Sequence, residues 1–107
     1  MEKVFQKLVR DKIPEIIQKN GEVAYTRILE EEEYRSCLFQ KLQEESSEVI
    51  HAEDASERLE ELADVLEVLT SIAELEGGSI EQVQEIAKTK RLKRGGFQKR
   101  VFLEKAE

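Results

Sequence analysis

Residues 41–67, KLQEESSEVIHAEDASERLEELADVLE, decide the fold, because two helical patterns meet in them across a short polar connection. At 100° per residue Leu38, Leu42 and Val49 fall within about 40° of one another and form the apolar stripe of the first pattern. Glu45 lies inside that stripe, Glu48 along its edge, and Glu44 and His51 further out. The first helix is expected to begin at the four glutamates Glu30 to Glu33, which suit the positive end of a helix dipole, and to reach about Ala52. The second is expected from Ser56, read as its N-cap, to Glu76, with Gly77-Gly78 ending it. It has one apolar face in Leu59, Leu62, Ala63, Leu66, Leu69 and Ala73. A second, nearly opposite, consists of Val65, Val68 and Ile72. A helix patterned in this way needs cover on two sides. Glu61 projects into the middle of the second face, and Asp64 marks its border.

Outward from this pair the signals are shorter. Asp11 is placed to cap a small helix through Ile13, Ile16 and Ile17, with Pro14 in its first turn and Asn20-Gly21 as its stop. Ser79 with Gln82 reads as a capping box for a further helix carrying Ile80, Val83, Ile86 and Ala87 toward Leu92, and Gly95-Gly96 breaks it. Segments 22–29 and 97–103 lean toward β structure and are expected to pair as a small two-stranded element. The expected fold is mainly α: an antiparallel helical bundle of two long helices, a third helix and a short N-terminal helix, with that β element beside it. Residues 1–107 form one expected domain, with no internal repeat or low-complexity linker.

Composition narrows the class. Charged residues make up 38% of the chain and apolar ones 39%, with one Pro and five Gly, which fits a helix-rich folded domain and not a disordered one. No run approaches the roughly 18 apolar residues of a membrane span, and the start lacks a secretory apolar core. Cys37 is the only cysteine, so an intramolecular disulfide and a cysteine zinc site are excluded, and a cytoplasmic setting is expected. Net charge is −7, unevenly divided. Residues 1–87 hold 9 Lys and Arg against 22 Asp and Glu, and residues 88–107 hold 8 against 2. An acidic body with a basic end is unlike a nucleic-acid binder, whose basic footprint dominates the domain. It suits divalent cations on one side and phosphate on the other.

Two acidic pairs, Glu45 with Glu48 and Glu61 with Asp64, occupy consecutive helices. Residues three apart on a helix have Cβ atoms about 5–6 Å apart, so each pair can aim two carboxylates at one point. Helices packed about 8–10 Å apart leave a gap that the four carboxylates and a hard cation can fill. Without a cation such a cluster repels itself and raises its own pKa values. Mg²⁺ answers both conditions, with oxygen ligands at about 2.0–2.1 Å and waters retained for chemistry. The bland alternative is a solvated row of acids in a glutamate-rich chain. Glu45 and Glu61 speak against it, since each sits among apolar neighbours where an uncompensated charge is costly.

The basic residues Lys88, Lys90, Arg91, Lys93, Arg94, Lys99 and Arg100 flank Gly95-Gly96. Part of this run answers the helix dipole, but its density exceeds what a helix end requires, and with exposed backbone N–H groups it fits a polyphosphate. Arg10 and Lys12 fit either phosphate ligation or surface ion pairing. Cys37 reads as a small buried hydrophobe, His51 as an exposed helix residue and Tyr34 as a packing residue.

The segments KLVRDKIPEII (7–17), KLQEESSE (41–48), EELADVLE (60–67) and KRGGF (93–97) resemble the MazG-like, all-α nucleoside triphosphate pyrophosphatase superfamily. More narrowly they resemble its small, single-domain, phosphoribosyl-ATP pyrophosphohydrolase-like branch. The resemblance implies Mg²⁺-dependent hydrolysis of a nucleoside triphosphate to the monophosphate and pyrophosphate, as in removal of non-canonical nucleotides, with Mn²⁺ as a substitute ion. It implies Glu45, Glu48, Glu61 and Asp64 as metal ligands, and Lys93 and Arg94 as phosphate contacts, joined by Arg10 and Lys12. It also implies a homodimer or homotetramer, which the two-faced helix 56–76 suggests independently. Glu48 or its neighbour Glu44 is the expected orienter of the attacking water. Neither membrane nor nucleic acid is an expected partner. Two competing expectations stand beside this one: a non-catalytic helical dimerisation module using its basic end on an acidic partner, and phosphoribosyl-ATP as the substrate.

Overall fold

A computed structural model describes residues 2–107 of the chain as four helices: α1 Ile13–Lys19, α2 Glu31–His51, α3 Ala55–Leu75 and α4 Ile80–Arg94. The two long helices have 21 residues each, about 31 Å at the α-helical rise, and only residues 52–54 join them. So short a connection sends α3 back along α2. Contacts at both ends of the hairpin fix that antiparallel arrangement. Near the connection Arg58 donates from Nε to the Val49 carbonyl at 2.9 Å and from Nη2 to the Ala52 carbonyl at 2.6 Å, serving acceptors that the last turn of α2 leaves unpaired. At the far end Arg35, near the start of α2, pairs with Glu76 just past α3.

The seam between α2 and α3 holds what core the chain has. Leu38 and Val68 are buried in it, Ala52 is buried at the connection, and Leu42, Val49, Val65 and Ile72 are half-buried. Of the two apolar faces of α3, the one with Val65, Val68 and Ile72 meets α2. The other, Leu59, Leu62, Leu66 and Leu69, faces solvent. The α4 helix packs on α3 only slightly, and the molecule reaches 62 × 35 × 24 Å, with a radius of gyration of 18.3 Å where a compact chain of this length has about 13 Å.

Helix starts differ from expectation by one or two residues. The cap of α3 is Asp54, whose carboxylate accepts from the Glu57 N–H at 2.8 Å; Ser56 already lies within the first turn. Both residue types cap well, and the one that leaves the connection in extended geometry takes the role. At α1 the N-cap position is Lys12 and not Asp11, because the Ile16 N–H bonds to the Lys12 carbonyl at 3.1 Å and Pro14 occupies the first turn. Ser79 caps α4 as read, accepting from the Gln82 N–H at 3.2 Å. Gly21, Gly77 and Gly95 hold φ near +85° just past three helix ends, a conformation that costs any other L-residue more.

The mainly α architecture agrees with the sequence; the two-stranded element does not form. Among the described residues there is no strand, and segments 22–29 and 97–103 run as irregular, largely exposed chain, with Ile28 93% and Val101 83% accessible. Near the end of the first segment Arg27 makes a local side-chain ion pair with Glu33 at 2.9 and 2.7 Å. Among the described residues no helix is long and apolar enough to cross a membrane.

Candidate metal centre

The geometry of the hairpin brings acids of both helices level. Glu45 stands six residues before the end of α2 and Glu61 six residues after the start of α3, so the reversal at residues 52–54 places them opposite each other. Asp64, one turn further along α3, shares the face of Glu61. One carboxylate oxygen from each of Glu45, Glu61 and Asp64 lies within 4.8 Å of the others, and all three residues are half-buried. Two oxygens on opposite sides of a Mg²⁺ stand about 4.2 Å apart, twice its ligand distance. Three ligands cannot all stand opposite one another, so at least two of the pairs must be neighbours at about 3 Å, and side-chain rotation has to bring the oxygens together by up to about 2 Å. All three donors are hard anionic oxygens, the type Mg²⁺ and Mn²⁺ select. The residues present fit a hard divalent cation.

Electrostatics at the centre carry the mark of crowded negative charge. The Glu61 carboxyl is held above its ordinary pKa, first by partial removal from water, then by the charges of Glu48, Asp64, Glu45 and Glu57. One positive group is already present: Arg10 donates from Nη2 to Asp64 Oδ1 at 2.8 Å, reaching from the N-terminal segment to α3. The Arg10 side chain is 59% accessible and that of Asp64 43%, so this is a solvent-screened pair at the rim of the centre that a divalent cation can displace.

The other sequence candidates are distributed around this centre. Glu48 is outside the three-oxygen cluster, one turn nearer the connection and exposed, yet close enough for its charge to act on Glu61. Glu44 is exposed on α2. Lys12 is exposed at the N-cap of α1. Lys93 and Arg94 stand in the last turn of α4, where with Glu85, Ile86, Thr89 and Lys90 they line an open groove of about 390 Å³. A second groove of about 730 Å³ runs along Lys90, Arg91 and Arg94 to Gly95, Gly96 and Phe97. Neither is lined by Glu45, Glu61 or Asp64, and no ion pair among the described residues joins the basic end of α4 to these three.

Two participants were not visible as such in the sequence. Arg10 reads there as either a phosphate ligand or a surface ion-pairing residue; it does form a surface ion pair, but its partner is Asp64, 54 positions away, and no local spacing encodes that choice. Glu57 adds to the charge on Glu61, and its i, i+4 spacing was the available signal. Comparison with protein-family models, with curated proteins and with solved structures finds no match to this chain.

Proposed function

We propose that this protein is a Mg²⁺-dependent nucleoside triphosphate pyrophosphohydrolase of the MazG-like, all-α kind, cleaving its substrate to the monophosphate and pyrophosphate. One observation carries the reading: carboxylates from two helices converge in a half-buried seam where their charges already strain Glu61. Glu45, Glu61 and Asp64 would hold the cation, with Glu48 at its margin. When bound, Mg²⁺ (or Mn²⁺) offsets phosphate charge and lowers the pKa of a coordinated water.

The chain's own residues then divide the remaining work. Glu48 or Glu44 accepts a proton from the attacking water at a carboxylate oxygen and orients its lone pair. Water adds across the anhydride: a P–O bond forms, the bridging P–O bond breaks, and pyrophosphate departs with the electron pair. Lys93 and Arg94 offset its charge, and Arg10, released from Asp64, and Lys12 meet the remaining phosphate oxygens. A homodimer or homotetramer covers the outer face of α3. The cytoplasm, which supplies nucleoside triphosphates and Mg²⁺, is the setting this chemistry requires.

A panel of ordinary and modified nucleoside triphosphates, assayed with Mg²⁺ for pyrophosphate release, tests the reading; phosphoribosyl-ATP belongs in the panel. Glu45→Gln and Asp64→Asn are expected to lower turnover by about 10² or more while circular dichroism keeps its helical signal. Turnover undiminished in both variants removes these residues from the chemistry. No release from any nucleotide, and no Mg²⁺-dependent rise in the melting midpoint, favours the non-catalytic dimerisation module.

A further inference from the structure

Two surfaces of this chain lie open, and each has what the other lacks. The first is the outer face of α3, where Leu59, Leu62, Leu66 and Leu69 are between 68% and 38% accessible. Exposed Glu60, Glu67 and Glu74 recur every seven residues beside it, which on a helix makes one row. The second is the segment after Gly95. Phe97, Val101, Phe102 and Leu103 are almost wholly exposed there, with Lys99 and Arg100 between them. Its backbone makes one local turn, the Arg100 N–H to the Phe97 carbonyl at 3.0 Å, and belongs to no helix.

Charge and area point the same way. Residues 31–76 carry 15 Asp and Glu against 3 Lys and Arg, whereas residues 88–107 carry 2 against 8. The accessible surface is 10,031 Å², and a compact monomer of 12.4 kDa exposes about 6,100 Å². The excess, roughly 3,900 Å², is larger than the about 800–2,500 Å² that each partner of a stable dimer buries. A second copy can therefore cover both open surfaces at once. The arm starts at the far end of α4, which leaves its own hairpin after slight packing on α3.

We infer that two copies of this chain pair by exchanging C-terminal arms. The arm of each copy, residues 95–103, lies along the outer face of the other's α3, its apolar residues on the leucine row and its Lys99 and Arg100 against the glutamate row. This takes only the homo-oligomer from the proposed function and is independent of the hydrolase chemistry. Exchange also explains why one chain carries an exposed apolar arm beside an exposed apolar helix face. Each is a half-interface, and two-fold pairing makes both halves meet twice.

Carbodiimide coupling, which joins a lysine amine directly to a nearby carboxylate, tests the arrangement on a 1:1 mixture of ¹⁵N-labelled and unlabelled full-length chain. Links from Lys99 to Glu60, Glu67 or Glu74 in mixed-isotope peptide pairs are expected, at about half of all such links between copies. Links confined to one isotope mean that the arm folds onto its own helix, and absence of these links means that it docks elsewhere; either overturns the inference. Sedimentation should give a dimer whose dissociation constant rises at least tenfold in Lys99→Glu/Arg100→Glu. Part of that loss should return when Glu67→Lys is added. A chain that sediments as a monomer with its helical content intact overturns the proposal. Pyrophosphate release measured on the same samples keeps the two readings apart: hydrolysis by a monomer sinks the exchange alone, and mixed links without hydrolysis sink the hydrolase alone.

Discussion

The hairpin of α2 and α3, and α4 with the arm that follows it, are built from the same chain by opposite means. The hairpin is tied at both of its ends, by Arg58 on the α2 carbonyls and Asp54 at the α3 cap near the connection and by Arg35 with Glu76 at the other, and the only buried residues of the long helices sit between them. The α4 helix has a cap at Ser79 and a glycine stop at Gly95 but no buried residue, so it has local signals and only a slight tertiary contact, with α3. Isolated helices near 15 residues are marginal in water, and most helical stability comes from packing an amphipathic face. The hairpin is where a half-buried acidic seam can be held in register. The arm is where charge can be presented to something else.

Mutations should separate the two regions in order of size. Leu38→Ala, in the seam, is expected to cost about 2–4 kcal/mol by denaturant unfolding, while the same change at Ile86 on α4 stays near 0.5 kcal/mol or below. Similar losses at both positions would mean that α4 is as well packed as the hairpin. Next, Asp54→Ala removes the α3 cap and should cost about 1 kcal/mol, with Asp54→Asn recovering most of it.

A smaller effect concerns pH. Glu61 binds its proton more tightly in the folded chain than in the unfolded one. Its contribution to stability is therefore full below the unfolded carboxylate pKa of about 4.3 and is lost as pH rises through the elevated folded value. Without divalent ions Glu61→Gln should accordingly melt above the parent at neutral pH, and the gap should close below about pH 4. Mg²⁺ should raise the parent's midpoint and leave Glu61→Gln nearly unmoved. A variant that melts below its parent at neutral pH in chelator would show that Glu61 is not under charge strain. The least effect is expected at Arg10. Since its pair with Asp64 is exposed, Arg10→Ala should change stability by less than about 1 kcal/mol, and calorimetry should find Mg²⁺ bound up to about fivefold tighter. Weaker Mg²⁺ binding in that variant would mean that Arg10 supports the centre and does not compete for it.

Much of the hairpin was legible because its signals are local. Gly77, Gly95 and Asn20-Gly21 stop helices where the backbone turns left-handed or breaks, and the spacing of Glu61 and Asp64 puts both on one face whatever surrounds them. The cap of α3 was misread by two residues, since Asp54 and Ser56 are both competent and the choice depends on how the chain leaves Ala52. The strands failed for a related reason. Segments 22–29 and 97–103 have the residue types of strands, but a ladder needs a partner alongside, and neither segment has one. Of the candidate site, the membership of Glu45, Glu61 and Asp64 could be read from pattern, whereas the marginal place of Glu48 and the contact of Arg10 could not.

By itself the sequence determined the lengths of the helices, their glycine stops and the pairing of acids along each one. These depend on interactions within a turn or two, where the rise and rotation of the helix fix every distance. Tertiary structure alone decided which of two apolar faces of α3 meets α2 and how far the helices are shifted along each other. Both are set by a three-residue connection and by arginines that clamp its two ends. That choice puts Glu45 level with Glu61 inside the seam and leaves the leucine row of α3 outside it.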